Sequence, residues 1–460
     1  MKTIIISIAA LMLCLALTGR CAQKRSTSWE AIKNPEVVTQ LKSFVAEKEA
    51  QARASTNDVS VFQAFFAAAD RGDWLAVSNA FTEFRKHAGQ YEHSGKTDER
   101  LRGTAWQAVL ETWGAFGLFF VGDEKYSAAF ANDIIQSIPP GSIYFGGTDP
   151  GRFLITAIQK SQVNGDPFFT MTQNALADST YLDYVRGMYG NKLYIPTAED
   201  FQKCFQDYTV DAERRLKENK LMPGEDIGKD ANGKVIVRGQ IAVMLINGLL
   251  AKVVFDKNPD REFYIEESFP LDWMYPYLEP HGLIFKINRQ PLSGLSDEMV
   301  SQDHEYWTKF VTPMIGGWLN DDTPVERVAA FAKKTFGKQD FSGFTGDPRF
   351  IQNAYSHEMF SKLRSSQAGL YAWRAQHAAG DTEKQRMNNA ADFAFRQAWA
   401  LCPYSTEAVF RYVNLLIEQK RFADALIVAE TAAQMPSMKG KDGEQFRNLV
   451  GLLQKKQVSK

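Results

Sequence analysis

The stretch ADFAFRQAWALCP, residues 391–403, decides how the C-terminal part of this chain folds. Ala391, Phe395 and Ala398 are spaced four and then three residues apart, which puts them on one face of a helix. Two alanines let a second helix approach closely, and the ring between them fills the gap. Pro403 cannot continue the helix and ends it. Thirty-four residues after Ala391 and Ala398 come Ala425 and Ala432, with Pro436 close behind. A two-helix unit repeated in phase is the signature of a stacked helical array.

These positions match the second-helix alanine, aromatic, alanine and terminal proline of a tetratricopeptide repeat, which the segment resembles. A looser match lies upstream. VFQAFFAAADRGDWLAVSNAFTEF, from Val59, reads as two apolar-striped helices joined at Arg71-Gly72-Asp73. Val77 stands there where the repeat has alanine, so a generic helical hairpin is an equal reading. Residues 23–57 are polar and weakly helical, and helical patterns continue from Arg102 to Val121 and from Ala128 to Ile138. Pro139-Pro140-Gly141 then closes the helical region.

From Ser142 the texture changes. SIYFGG reads as a strand and a glycine turn, and the helical pattern that follows has Asp149 as N-cap and Pro150 at the first helical position. Val235-Ile236-Val237, REFYIE (261–266) and LIFKI (283–287) are further strand signals, and residues 239–255 read as a buried helix. The expected fold class is α+β to mixed α/β. It is mainly helical, with a small α/β core flanked by tetratricopeptide-like helical hairpins. The expected divisions are 1–22 signal peptide, 23–138 N-terminal helical region, 139–295 α/β core, and 296–460 C-terminal helical region with the repeats.

The first residues bear on location. Met1-Lys2-Thr3 leads into an apolar run from Ile4 to Leu17, broken by Ser7, and then to small residues. That is the pattern of a cleaved export signal, and the run is short for a membrane span of about 20 residues. A lipid anchor at Cys21 needs a small residue before it, and Arg20 stands there. The expected location is periplasmic or secreted. Formal net charge is −1, which gives no electrostatic case for nucleic acid or an anionic membrane. Cys204 and Cys402 read as buried thiols or as one distant pair, not as a disulfide framework.

Catalytic signatures are lacking. Gly228 to Val235 has the outline of a phosphate loop, but valine follows Lys234 where a magnesium-binding hydroxyl belongs, and the glycines precede a strand. The same stretch has glycines at the first and last ligand positions of a calcium loop. No His-Glu-x-x-His, zinc cysteine pair or Gly-x-Ser-x-Gly occurs, so no cofactor or metal is expected. His304, between Asp303 and Glu305, reads as a surface or hydrogen-bonded helix histidine.

Two segments have open readings. Gly146, Gly147, Thr148, Asp149 and Arg152 form a strand–helix turn that is either structural or an anion or sugar site, with Arg152 adding a charged contact. Glu266, Asp272, Trp273 and His281, with Tyr275 and Tyr277 between, read as an aromatic packing block, a carbohydrate-binding rim or an acid–base pair.

SIYFGGTDPGRF (142–153), NPDREFYIEESFPLDWMYPYLEPHGLIFKINRQPL (258–292) and the repeats together resemble the non-membrane half of a bacterial family. Its members are large multi-pass membrane proteins of the GT-C glycosyltransferase type, related to transmembrane protein O-mannosyltransferases. The likeness covers roughly residues 139–436. The family's catalytic acidic motif belongs to its membrane half and is not matched here, so no catalytic residue carries over. The resemblance implies an extracytoplasmic module that binds glycan, glycolipid or an acceptor protein. Three functions follow as expectations. The first is an interaction module holding a protein or peptide on its repeats, the second a glycan-binding or glycan-processing protein, and the third an accessory subunit of a membrane glycosyltransferase.

Overall fold

A computed structural model describes residues 28–55, 58, 60–88, 98–101, 103–222, 224–229, 235–266 and 272–458. The apolar leader at 1–22 and residues 230–234 of the phosphate-loop outline lie outside the described residues. The chain runs through α1 (Pro35–Ala54), α2 (Ser60–Asp70), α3 (Trp74–Ala88), α4 (Thr104–Phe120) and α5 (Glu124–Ser137). Next come β1 (Ile143–Gly146), α6 (Asp149–Ile158), β2 (Phe169–Thr172), α7 (Ser179–Tyr189) and α8 (Ala198–Lys217). β3 (Asp226–Lys229), β4 (Val235–Arg238), α9 (Gln240–Lys257), β5 (Phe263–Glu266), β6 (Leu278–His281) and β7 (Ile284–Ile287) follow. The remainder is helical: α10 (Asp297–Ile315), α11 (Val325–Ala332), α12 (Pro348–Gln352), α13 (Ala354–Gln376), α14 (Asp381–Leu401), α15 (Thr406–Glu418), α16 (Phe422–Ala433) and α17 (Glu444–Val458). The fold is mainly helical α+β with a small mixed five-stranded sheet. Two compact units divide it, 1–124 with 138–264, and 125–137 with 265–460.

In the first unit α4 is the central helix. It is apolar over most of its circumference, and α1, α3, α6 and α7 pack around it. Phe81 of α3 stacks on both Trp106 and Trp113 of α4, with centroids 5.3 and 4.2 Å away. Gly72 turns the chain between α2 and α3 at φ +70, where the Trp29 indole leaves no room for a Cβ. The expectation of weak helicity at 23–57 is corrected. α1 is a 20-residue helix capped by Asn34, whose side chain accepts from the Glu36 N–H, and Leu41, Val45, Lys48 and Ala52 form its buried stripe.

β1 and β2 pair in parallel, Ile143 against Phe169 through Gly146 against Thr172, and α6 is the crossover between them. β2 carried no sequence signal of its own. The N-cap of α6 is Thr148, one residue before the expected Asp149. Its hydroxyl accepts from the Gly151 N–H at 3.1 Å. Helix α9 is also not wholly buried as expected, since Val243 on its outer side is 46% exposed. β3 and β4 pair antiparallel, Asp226 against Arg238 through Lys229 against Val235, so Gly228 and Val235 of the phosphate-loop outline lie in strands.

In the second unit β6 and β7 form an antiparallel hairpin, with Leu278 opposite Ile287 and His281 opposite Ile284. From α13 onward each helix packs on the next. Ala391, Ala398, Ala425 and Ala432 are wholly buried, Phe395 is nearly so, and Pro403 sits buried in the turn after α14. Ser405 caps α15 by accepting from the Ala408 N–H at 3.3 Å. Cys204 and Cys402 are buried, unbridged thiols.

Candidate functional site

Three places in the fold gather polar or aromatic side chains. The first is the strand–helix turn after β1. Gly146 is required there, because a Cβ would lie 2.7 Å from the Gly151 carbonyl oxygen. The Gly147 carbonyl accepts from the Asn174 amide. Asp149 opens α6 in its first turn, beside Gly151 and Pro150. Arg152 does not reach the outside of this turn to meet an anion. Its guanidinium is buried and bonds Glu111 at 3.0 Å and Gln107 at 2.8 Å, both on α4.

Glu111 is the centre of that network. Lys48 lies 2.8 Å from its second oxygen, and the Tyr184 hydroxyl donates to the same oxygen at 2.8 Å. Lys48 also donates to Gln51 at 3.0 Å and to Gln162. All three charged groups are buried. Burial by itself would raise the Glu111 carboxyl, but the Lys48 and Arg152 charges and the Lys48 and Tyr184 hydrogen bonds hold it down at about 2. Burial lowers the Lys48 ammonium against the pull of Glu111. A carboxylate so fully occupied binds helices together and is not placed to meet substrate.

The second place lies among α10, α13 and α14. Arg364 bonds Asp303 at 2.7 Å, Gln397 at 2.8 Å and Gln367 at 3.0 Å, and it lies over the Trp307 ring. Tyr371 donates to the same Asp303 oxygen at 2.7 Å. Gln367 in turn donates to the Gly282 and Ile284 carbonyls beside β7. His304, expected either on the helix surface or hydrogen-bonded within the fold, is half-buried. Its ring packs edge-on to Tyr371 and Phe393. Burial, then the charges of Arg364 and Arg396, push its imidazole down to about 3, so it is neutral near pH 7.

The third place joins the segment after β5 to the end of α13. Glu266 is buried in β5 and Asp272 is exposed, while residues 267–271 lie outside the described residues. The His281 Nε2 meets the Ser137 carbonyl at the end of α5 at 2.8 Å. Trp273 and Tyr277 meet edge-on at 6.3 Å. Tyr275 stacks on Trp373, centroids 5.3 Å apart and 22° from parallel, and Trp373 stacks on His377 at 4.1 Å. Trp373 and His377 were not singled out in the sequence. Their spacing of four residues at the end of a helix was the available signal.

The C-terminal helices build a surface as well as a core. α11 packs on both α14 and α16, so it covers the side formed by the second helices. The first helices, α13, α15 and α17, line up on the other side. Lys362 pairs with Glu407 at 3.2 Å, Arg411 donates to the Ser365 carbonyl at 3.4 Å, and Gln445 donates to Thr406 at 3.2 Å. Phe410 stacks on Phe446 beneath them. Among the described residues no group of three or more His, Cys, Asp or Glu side chains is placed to hold a metal ion, and no helix is long and apolar enough to cross a membrane.

No protein-family model matches this chain, and no curated protein or solved structure matches it.

Proposed function

We propose that this chain is an exported interaction module that holds a protein or peptide partner on the face formed by α13, α15 and α17. The observation that carries the reading is that α11 covers α14 and α16, while side chains on the other side of the array keep some exposure. That face presents Lys362, Arg411 and Asn414 half-exposed and Asn448 exposed, a polar, hydrogen-bonding lining suited to an extended peptide. The repeat-like phasing of Ala391, Ala398, Ala425 and Ala432 supports tetratricopeptide character, and the leader at 1–22 supports a periplasmic or secreted location. The resemblance across 139–436 adds a membrane glycosyltransferase as one partner of that kind.

Site-specific photo-crosslinking in exporting cells tests this. A crosslinker at Asn414 or Asn448 should capture one discrete partner, one at exposed Lys203 of α8 should not, and Arg411→Glu should abolish capture. Equal capture from position 203, or no adduct from the α15 and α17 positions, removes the reading.

A further inference from the structure

We propose that the end of α13, with Tyr275 beside it and Glu418 at the end of α15, is a binding site for neutral oligosaccharide. The platform is the stack of Tyr275, Trp373 and His377, whose neighbouring rings lie at 5.3 and 4.1 Å, each pair 22° from parallel. Tyr275 and Trp373 are half-buried and His377 is exposed, so the stack is anchored at one end and open at the other. The His377 Nδ1–H donates to the Trp373 carbonyl at 2.8 Å, which fixes the imidazole on the indole. Sugar rings offer an apolar C–H face to such aromatics and a belt of hydroxyls to polar groups at the edge.

The edge supplies those groups. Gln376 and Glu418, both exposed, face each other at 3.3 to 3.4 Å, a long pairing that hydroxyls can enter. Asp272 is exposed on the segment leading into the platform. The charge of this edge selects against anions. The cation beside it, Arg374, is turned to the Leu292, Tyr275 and Pro276 carbonyls at 2.9 to 3.3 Å, and so holds the Tyr275 segment against α13 instead of meeting a ligand. Aromatics edged by amide and carboxylate, with the arginine spent internally, fit an uncharged polyhydroxylated ligand. Glu418 lies two turns beyond Arg411 on α15, and the outcome here does not depend on the peptide reading, because the aromatic stack takes no part in it.

Titration calorimetry on the full mature chain tests it, with cellohexaose, laminarihexaose and chitohexaose as neutral probes and hexalysine and trigalacturonate as charged ones. At least one neutral hexasaccharide should bind saturably. Trp373→Ala and His377→Ala should each weaken it by about tenfold or more, Trp373→Phe should retain most of it, and Lys203→Glu, at an exposed position of α8, should leave it unchanged. His377 is exposed, so its variant decides the matter if Trp373→Ala fails to fold. Binding of hexalysine or trigalacturonate with none of the neutral probes overturns the proposal. So does neutral-probe binding that survives His377→Ala, or the absence of any binding.

Discussion

Phe395 of α14 stacks on Tyr412 of α15, with ring centroids 5.8 Å apart and planes 20° from parallel. The Tyr412 hydroxyl reaches back to Asp392 at 3.0 Å, and Arg421 closes on the same carboxylate oxygen at 2.7 Å. One ring contact and one shared carboxylate therefore join the first helical hairpin to the second. Phe395→Ala should cost about 3–5 kcal/mol, since the ring is buried and its removal leaves a void. Ala398→Leu should cost about 1–3 kcal/mol for the opposite reason, because Ala398 is wholly buried where helices touch. Urea denaturation followed by tryptophan fluorescence measures both. A loss under about 0.5 kcal/mol for Phe395→Ala would show that the hairpins are not joined through this ring.

The array was legible because its information is local. Ala391, Phe395 and Ala398 declare a helix face within eight residues, and Pro403 marks its end. The turn at 146–152 was legible to within one residue, the cap falling on Thr148 and not Asp149, because both side chains can accept from the following backbone. The Arg152 contact was not legible, since its partner Glu111 lies 41 positions away. A clue did exist: Glu111 is the lone carboxylate in the apolar run of α4, and a buried carboxylate calls for a cation. Lys48 is a similar case, lying on the apolar stripe of α1 between Val45 and Ala52. The meeting of Tyr275 with Trp373 depends on how the short helical turn before β6 lies against the end of a helix far along the chain, which periodicity does not encode.

Glu111→Gln tests the network directly. The substitution keeps the shape but leaves Lys48 and Arg152 buried without a counter-charge, so it should cost about 3–5 kcal/mol. Lys48→Met should cost less, because Glu111 keeps Arg152. The pH dependence has a definite sign. The Glu111 carboxyl is held at about 2, below its ordinary 4.5, so its contribution is complete above about 4.5 and lost as pH falls through 2. Thermal melts of the wild type and Glu111→Gln should therefore converge in strong acid. Parallel curves down to pH 2 would contradict the assignment.

His304 gives a second pH effect, at milder acidity. Its imidazole is pushed from 6.5 down to about 3, so below 6.5 the unfolded chain takes up a proton that the folded chain does not. Stability from this residue is fully present above 6.5 and falls as pH drops toward 3, by at most about 1.4 kcal/mol per pH unit. His304→Phe removes the titrating group while keeping an aromatic against Tyr371 and Phe393. Its stability should fall less steeply than wild type between pH 6 and 4, as read from urea midpoints. An unchanged slope would mean that His304 titrates normally in the folded chain.

The two thiols bear on the oxidising compartment proposed for the chain. Burial, then the nearby Asp207 and Asp200 charges, push the Cys204 thiol up to about 11. Burial raises the Cys402 thiol well above its ordinary range, with the Glu358 charge adding to it. The thiolate is the reactive form, so both should stay reduced and label slowly with N-ethylmaleimide at neutral pH in the native chain. Both should label fully once guanidinium unfolds it. Mass spectrometry of the peptides carrying Cys204 and Cys402 reads this without interference from the other cysteines. A disulfide-linked peptide pair recovered from native material, or equal labelling before and after unfolding, would show that the thiols are not shielded as the fold places them. Slow native labelling would mean that packing alone protects them, with no bridge needed for the chain to persist in the oxidising compartment proposed for it.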